Sequence, residues 1–328
     1  MVALLVGGAI LLGFGVRAVW RMMRPGPVSL SQAEPTIDEI MADLDTFDAV
    51  VHASQDYLSR GKSGTAMAIL DRAVDLYPGE GSLHALRGQA LVSLGKKDKA
   101  LEAFERACFV GPDSAVNRDF AATLAAELGL DTQAVSHWAR AQQLAPDNPK
   151  YPLYRAQVER RLGKVDEAKA SLMLAGGLDP DIGVVWATLA AIALDENNPE
   201  MVLQHIARAR ALEPGNVSYR VIEAKGLRRL NRPGDALTLL GALDEASRTN
   251  LDVVEEMALC YGMLSKPKDA AALYDAALAK RPDDGPLALT TAEWFERAGD
   301  KATALDRAQR AAMLNARGAR EMVERLQK

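Results

Sequence analysis

Residues 81–114, GSLHALRGQALVSLGKKDKALEAFERACFVGPDS, and residues 115–148, AVNRDFAATLAAELGLDTQAVSHWARAQQLAPDN, decide the fold, because they are one pattern written twice. Gly95 and Gly129 hold the same place in the two segments, as do Ala100 and Ala134, Ala107 and Ala141, and Pro112 and Pro146. Prolines stand at 78, 112, 146, 180, 214 and 282, a period of 34 residues in which one unit, centred on Arg248, keeps the frame without its proline. A fixed period of this size marks an array of supersecondary units.

Three columns of small residues run in register through the array. Twelve residues before each proline position stand Ala66, Ala100, Ala134, Ala168, Val202, Ala236, Ala270 and Ala304. Five before it stand Ala73, Ala107, Ala141, Ala175, Ala209, Leu243, Ala277 and Ala311, and ten after it Gly88, Ala122, Ala156, Ala190, Ala224, Ala258 and Ala292. Small residues at these places let two short antiparallel helices approach each other and the next pair. The proline ends the second helix and opens the following turn. Gly61, Gly95, Gly129, Gly163 and Gly299 mark the turn inside each pair, with Asn197, Asn231 and Ser265 in the other three. A bulky column, Leu70, Phe104, Trp138, Leu172, Ile206, Leu240 and Tyr274, supplies the second helix with its core residue.

This pattern resembles the tetratricopeptide repeat (TPR) family, in eight frames that begin at 47, 81, 115, 149, 183, 217, 251 and 285 and end at 318. The resemblance implies an all-α, right-handed α-solenoid of about eight helical hairpins, whose first helices line a concave groove that holds partner peptides. Early in the first helix the family favours a bulky residue. Trp186 fits, whereas His84, Arg118, Pro152 and Arg220 depart. Some members clamp a carboxylate with Lys and Asn in their first three repeats; Val51, Gln55, Leu86, Val116 and Phe120 stand at those columns and argue against that use. The sixth frame, with no proline and with Leu243 in an alanine column, is the expected irregularity.

Outside the array the chain changes character. Residues 2–20 are apolar except for Arg17, and Arg21 and Arg24 follow, so residues 1–24 read as an uncleaved transmembrane anchor. The arginine flank favours a single-pass protein of the inner membrane with its repeats on the cytoplasmic side. Gly13, Gly15 and Ala18 mimic a dinucleotide fingerprint without the strands it requires. Residues 25–35 form a Pro-rich linker, residues 36–46 an acidic helix opened by a Thr36-x-x-Glu39 capping box, and residues 319–328 a C-terminal cap.

Chemistry of the catalytic kind finds no foothold. Gly61, Lys62 and Ser63 mimic the end of a phosphate loop, but Asp56 stands where its first glycine belongs. His52, His84, His137 and His205 are scattered, and Cys108 and Cys260 have no partner at a metal-ligand spacing. The expectation is a protein that is not an enzyme and takes neither cofactor nor metal. A net charge of −5 gives no overall field for nucleic acid.

Binding residues are then read from the groove-facing columns. The fourth frame offers Lys150, Gln157, Arg160 and Arg161, the fifth Val184, Ala187, Ala191 and Leu194, and the sixth Lys225, Arg228 and Arg229. Two basic clusters around an apolar repeat suit a partner segment with acidic residues flanking an apolar anchor, since guanidinium forks read carboxylates. The expected function is a membrane-anchored scaffold or adaptor in the assembly of a membrane or envelope complex. The alternatives are a self-assembling structural TPR protein, which would be a homo-oligomer, and a holder of the cytochrome c maturation kind.

Overall fold

The computed structural model describes residues 35–328, and among them every regular element is a helix. The chain divides into two compact units, Met1–Tyr77 and Pro78–Lys328.

In the first unit α1 (Ile37–Ala42) is opened by the capping box: Glu39 N–H donates to the Thr36 hydroxyl at 3.3 Å and Thr36 N–H donates to Glu39 at 2.8 Å. The first repeat follows, α2 (Phe47–Ser59) and α3 (Ser63–Leu76), turning at Gly61 with φ +73°. Val50, Ala66, Ile69, Leu70 and Ala73 are buried between its helices, and Arg72 pairs with Asp38 of α1.

The second unit holds seven further pairs. Repeat 2 is α4 (Gly81–Ser93) and α5 (Lys97–Val110), repeat 3 α6 (Ala115–Glu127) and α7 (Asp131–Leu144), and repeat 4 α8 (Lys150–Arg161) and α9 (Val165–Leu178). Repeat 5 is α10 (Gly183–Asp195) and α11 (Pro199–Leu212), and repeat 6 α12 (Val217–Arg229) and α13 (Pro233–Gly241) with a single turn, α14 (Glu245–Arg248), after it. Repeat 7 is α15 (Leu251–Met263) and α16 (Pro267–Lys280), and repeat 8 α17 (Gly285–Arg297) and α18 (Lys301–Met313), capped by α19 (Ala319–Leu326). Within this unit each second helix packs on the first helix of the next repeat.

The columns explain the packing. All eight residues of the column Ala66 to Ala304 are 0% exposed, and the bulky column is buried from Leu70 through Tyr274. A buried Leu, Ile or Phe contributes about 1.5–3 kcal/mol through the water it excludes, so the bulky column stabilises while the alanines set the spacing. The turn residues all take the left-handed conformation. Asn197, Asn231 and Ser265 do so at φ 55–57°, a conformation that glycine adopts without steric cost. The departures from the bulky early position are accommodated individually: His84 and Pro152 are buried, while Arg118 donates to Asp113 at 2.7 Å and Arg220 to the Pro214 carbonyl at 3.3 Å.

Repeat 6 is the irregular one. Its second helix stops after 9 residues, where its counterparts run 13 or 14. Gly241 closes it, a residue that weakens a helix by backbone entropy. Asp244 then accepts from Ser247 N–H at 2.9 Å and from its hydroxyl at 2.8 Å, starting α14 as a separate turn.

One part of the expected fold class is corrected. Among the described residues no helix is long and apolar enough to cross a membrane. The longest have 14 residues, a rise of about 21 Å against the ~30 Å of a hydrocarbon core. The transmembrane helix is therefore no part of the described fold, and the single-pass, inner-membrane placement falls with it. Residues 2–20, on which that reading rested, lie outside the described residues, as does most of the Pro-rich linker.

Candidate partner-binding surface

Helical spacing sorts each first helix of the second unit into a packed face and an open one. The second residue of every frame is exposed: Ser82, Val116, Lys150, Val184, Ser218, Asp252 and Pro286. Seven residues on, Gln89, Gln157, Leu259 and Glu293 are exposed, and Thr123, Ala191 and Lys225 are half-buried. On this face Val116, Phe120, Val184, Leu259 and Met263 stay 38–58% exposed, while other apolar side chains, Phe109 and Met313 at 81% above all, are exposed on the second helices. Phe120 keeps one side covered by stacking on Phe104, with ring centroids 4.9 Å apart.

The residues singled out from the sequence divide into free and committed groups. Gln157, Arg160 and Arg161 line one pocket of about 510 Å³ with Val165, Ile192, Asp195 and Glu196. Lys150 is exposed at the start of α8 and Val184 at the start of α10, with Ala191 half-buried beyond it. Ala187 and Leu194 are buried and belong to the core of repeat 5. Lys225 lines a smaller pocket of about 180 Å³ with Val217, Ser218, Val221, Ile222, Asn250 and Asp252.

Three of the arginines are used inside the protein. Arg161 bonds both oxygens of Asp131, through Nε at 2.7 Å and Nη2, and Nη2 also reaches the Ala126 carbonyl at 3.5 Å. That grip holds the Asp131 carboxyl below its ordinary pKa. Arg229, at the same column two repeats on, donates to the Leu194 carbonyl and to Asn197 at 3.5 Å. Both arginines thus add a second donor to carbonyls at the end of the preceding first helix, which already accept from Gly129 N–H at 3.3 Å and Asn197 N–H at 3.0 Å. Arg228 forms a fork with Glu256.

Other polar clusters also satisfy themselves. His137 sits between Glu105, 3.0 Å from Nε2, and Arg118, 3.3 Å from Nδ1; because a guanidinium only donates, Nδ1 accepts and Nε2 carries the hydrogen. Burial would raise the pKa of Asp113, but bonds from Arg118 and Arg140, each 2.7 Å, outweigh it and hold the carboxyl low. Burial wins at Asp119, whose pKa is raised in spite of a 2.8 Å bond from Trp138 Nε1 and the charge of Lys150. Ser171 bridges Arg155 and the buried Glu159, donating to the carboxylate at 2.6 Å. These are interlocks between helices. Among the described residues no group of three or more His, Cys, Asp or Glu side chains is arranged to hold a metal ion.

Comparison with known proteins agrees with this architecture. The Psidin N-terminal TPR repeats region matches residues 192–314, and a tetratricopeptide repeat profile matches residues 53–115. The chain is a tetratricopeptide repeat protein. No curated protein matches it. Among solved structures, this TPR protein is similar to a tetratricopeptide repeat protein from Parabacteroides merdae, with 14% identity over 76% of this chain and 99% of that one and a TM-score of 0.56. YrrB, a TPR protein with an unusual peptide-binding site, is 17% identical over 57% of this chain and 97% of its own, with a TM-score of 0.50. PilF of Pseudomonas aeruginosa is 17% identical over 65% and 96%, with a TM-score of 0.51. TPR arrays serve in general as non-enzymatic scaffolds for protein–protein interaction, and this TPR protein has the architecture of one.

Sequence reading missed part of the open face. Asp252, Glu255 and Glu293 lie on it in repeats 7 and 8, at the same columns that pick out Lys150, Ala187 and Lys225 in earlier repeats.

Proposed function

We propose that this TPR protein is a non-enzymatic adaptor that holds a segment of a partner protein along the first-helix face of repeats 3 to 7, in the assembly of a protein complex. The observation that carries the reading is the recurrence of Val116, Phe120, Val184, Leu259 and Met263 on the first-helix face from repeat 3 to repeat 7, each 38–58% exposed. Such side chains offer anchors for apolar residues of a peptide, and Lys150, Gln157 and Arg160 beside them favour an acidic residue in that peptide. The peptide-binding site in YrrB's name supports the use of this fold in that way. End-to-end stacking is disfavoured on the C-terminal side, where Met322 and Leu326 of α19 are buried against the last hairpin.

A photoreactive residue at Val184 tests the proposal, with one at Met173, which is 54% exposed on a second helix, as the control. The Val184 probe is expected to trap a recurrent partner, and the capture to vanish in a Phe120→Asp, Val116→Asp variant. Equal trapping from Met173, or capture that survives the double substitution, would overturn the reading.

A further inference from the structure

The charged side chains of the first-helix face fall into two groups. Several are tied to neighbouring repeats, as Arg161, Arg228 and Arg229 are. Lys150, Arg160, Lys225, Asp252, Glu255 and Glu293 have side chains with no hydrogen-bond or ion-pair partner among the described residues, although each lies on the open face. These charges are biased by sign: cations predominate in repeats 4 to 6 and anions in repeats 7 and 8, with Asp195 in repeat 5 and Arg297 in repeat 8 as the exceptions.

The sign changes across a built boundary. Lys225 and Asp252 lie in the one pocket between repeats 6 and 7, over a floor of Val221 and Ile222. Leu259, with the exposed Met263 a turn further on, continues the apolar strip into the acidic half, where Leu259 lines a second pocket with Trp294 and Arg297. The two exceptions lie at the turn edge of the face. Arg297 lies over the Trp294 ring, 4.8 Å from its centroid, and Asp195 shares the pocket of Arg160.

We infer that the partner segment is dipolar: an acidic stretch lies over repeats 4 to 6, a basic stretch over repeats 7 and 8, and an apolar residue sits between them at the Lys225–Asp252 pocket. This rests on the adaptor reading above and adds the partner's chemistry and its direction along the array. Charge complementarity fixes the direction because the reversed segment would bring like charges together along the whole face. The attraction is screened over roughly 10 Å at moderate salt, so each block reads the repeats directly beneath it. The anions of repeats 7 and 8 also weaken the grip on a uniformly acidic peptide.

The test uses the full chain and two synthetic peptides of identical composition. One has a glutamate block, a leucine centre and a lysine block; the other has the same residues with the charges alternating. The block peptide is expected to bind at least about tenfold tighter at low salt, a preference of about 1.4 kcal/mol. The preference should disappear at high salt and in a Lys150→Gln, Arg160→Gln variant whose helical content and thermal unfolding match those of the parent chain. A crosslinker on the glutamate end should label repeats 4 to 6, and one on the lysine end repeats 7 and 8. Equal binding of the two peptides, or equal labelling of both halves by either end, overturns the dipolar reading. Failure of both peptides to bind overturns it as well. If the Val184 probe still traps a partner in a Phe120-dependent way, the adaptor reading stands without it; if that capture is also absent, both fall.

Discussion

Arg228 reaches from the sixth repeat to Glu256 of the seventh, donating from Nε to Oε1 at 2.6 Å and from Nη2 to Oε2 at 3.3 Å, and the carboxylate it holds is 1% exposed. The pair crosses the junction whose second helix is cut short. Glu256→Ala is therefore expected to destabilise this junction by about 3–5 kcal/mol, because it strands a partly buried guanidinium. The double variant Arg228→Met, Glu256→Leu is expected to recover most of that loss. Hydrogen exchange in α15 reads the difference; equal protection in the single and double variants would contradict the account.

Gly88 carries a second prediction. A Cβ there would lie 2.7–2.8 Å from the Phe104 ring, which is fully buried and stacked on Phe120. Gly88→Ala, although it restores the residue found at this column in every later repeat, should cost about 1–3 kcal/mol through overpacking. Adding Phe104→Leu should relieve it, as measured by denaturant unfolding of the two variants.

Ser265 holds φ 57° without the permissiveness of glycine. Ser265→Gly is expected to stabilise repeat 7 by about 1 kcal/mol, and Ser265→Val to destabilise it by more than that. Thermal unfolding that ranks valine above glycine would refute the strain argument.

Alkaline pH acts on the same region. Burial, reinforced by Glu256, pushes the Cys260 thiol from 9.0 up to about 12, and burial with the charge of Glu213 pushes the Tyr219 phenol from 10.0 up to about 12. Both groups bind their proton more tightly in the folded chain. Their stabilisation is complete below pH 9 and is lost progressively as the pH climbs from about 9 toward 12. Stability measured across that window should fall less steeply in Cys260→Ala. Native Cys260, and Cys108, whose thiol burial also raises, should resist alkylation at mildly alkaline pH and react once the chain is unfolded.

The architecture was legible because it repeats. A column such as Ala66 to Ala304 carries its meaning in register alone, and the turn residues announce the left-handed backbone they adopt. The surface was less legible because its outcome depends on residues one repeat away. Arg160 and Arg161 are adjacent and chemically identical, yet Asp131, thirty residues earlier, removes only Arg161 from the open face. The same holds for Arg228, whose fate is decided by Glu256 in the following repeat. Hydrophobicity alone misled at Leu194, which is 8% exposed and serves the core. The segment read as a membrane span lay outside the described residues, and composition by itself could not make it part of this fold.

The break between Gly241 and Glu245 leaves repeat 6 with a second helix of 9 residues, followed by the separate turn α14. The next helix, α15, packs on α12, α13 and α14 together, so the shortened row is bridged and not left open. The array therefore carries its frame through the unit that has lost its proline, and the apolar residues of repeat 7 stay in line with those of the repeats before it.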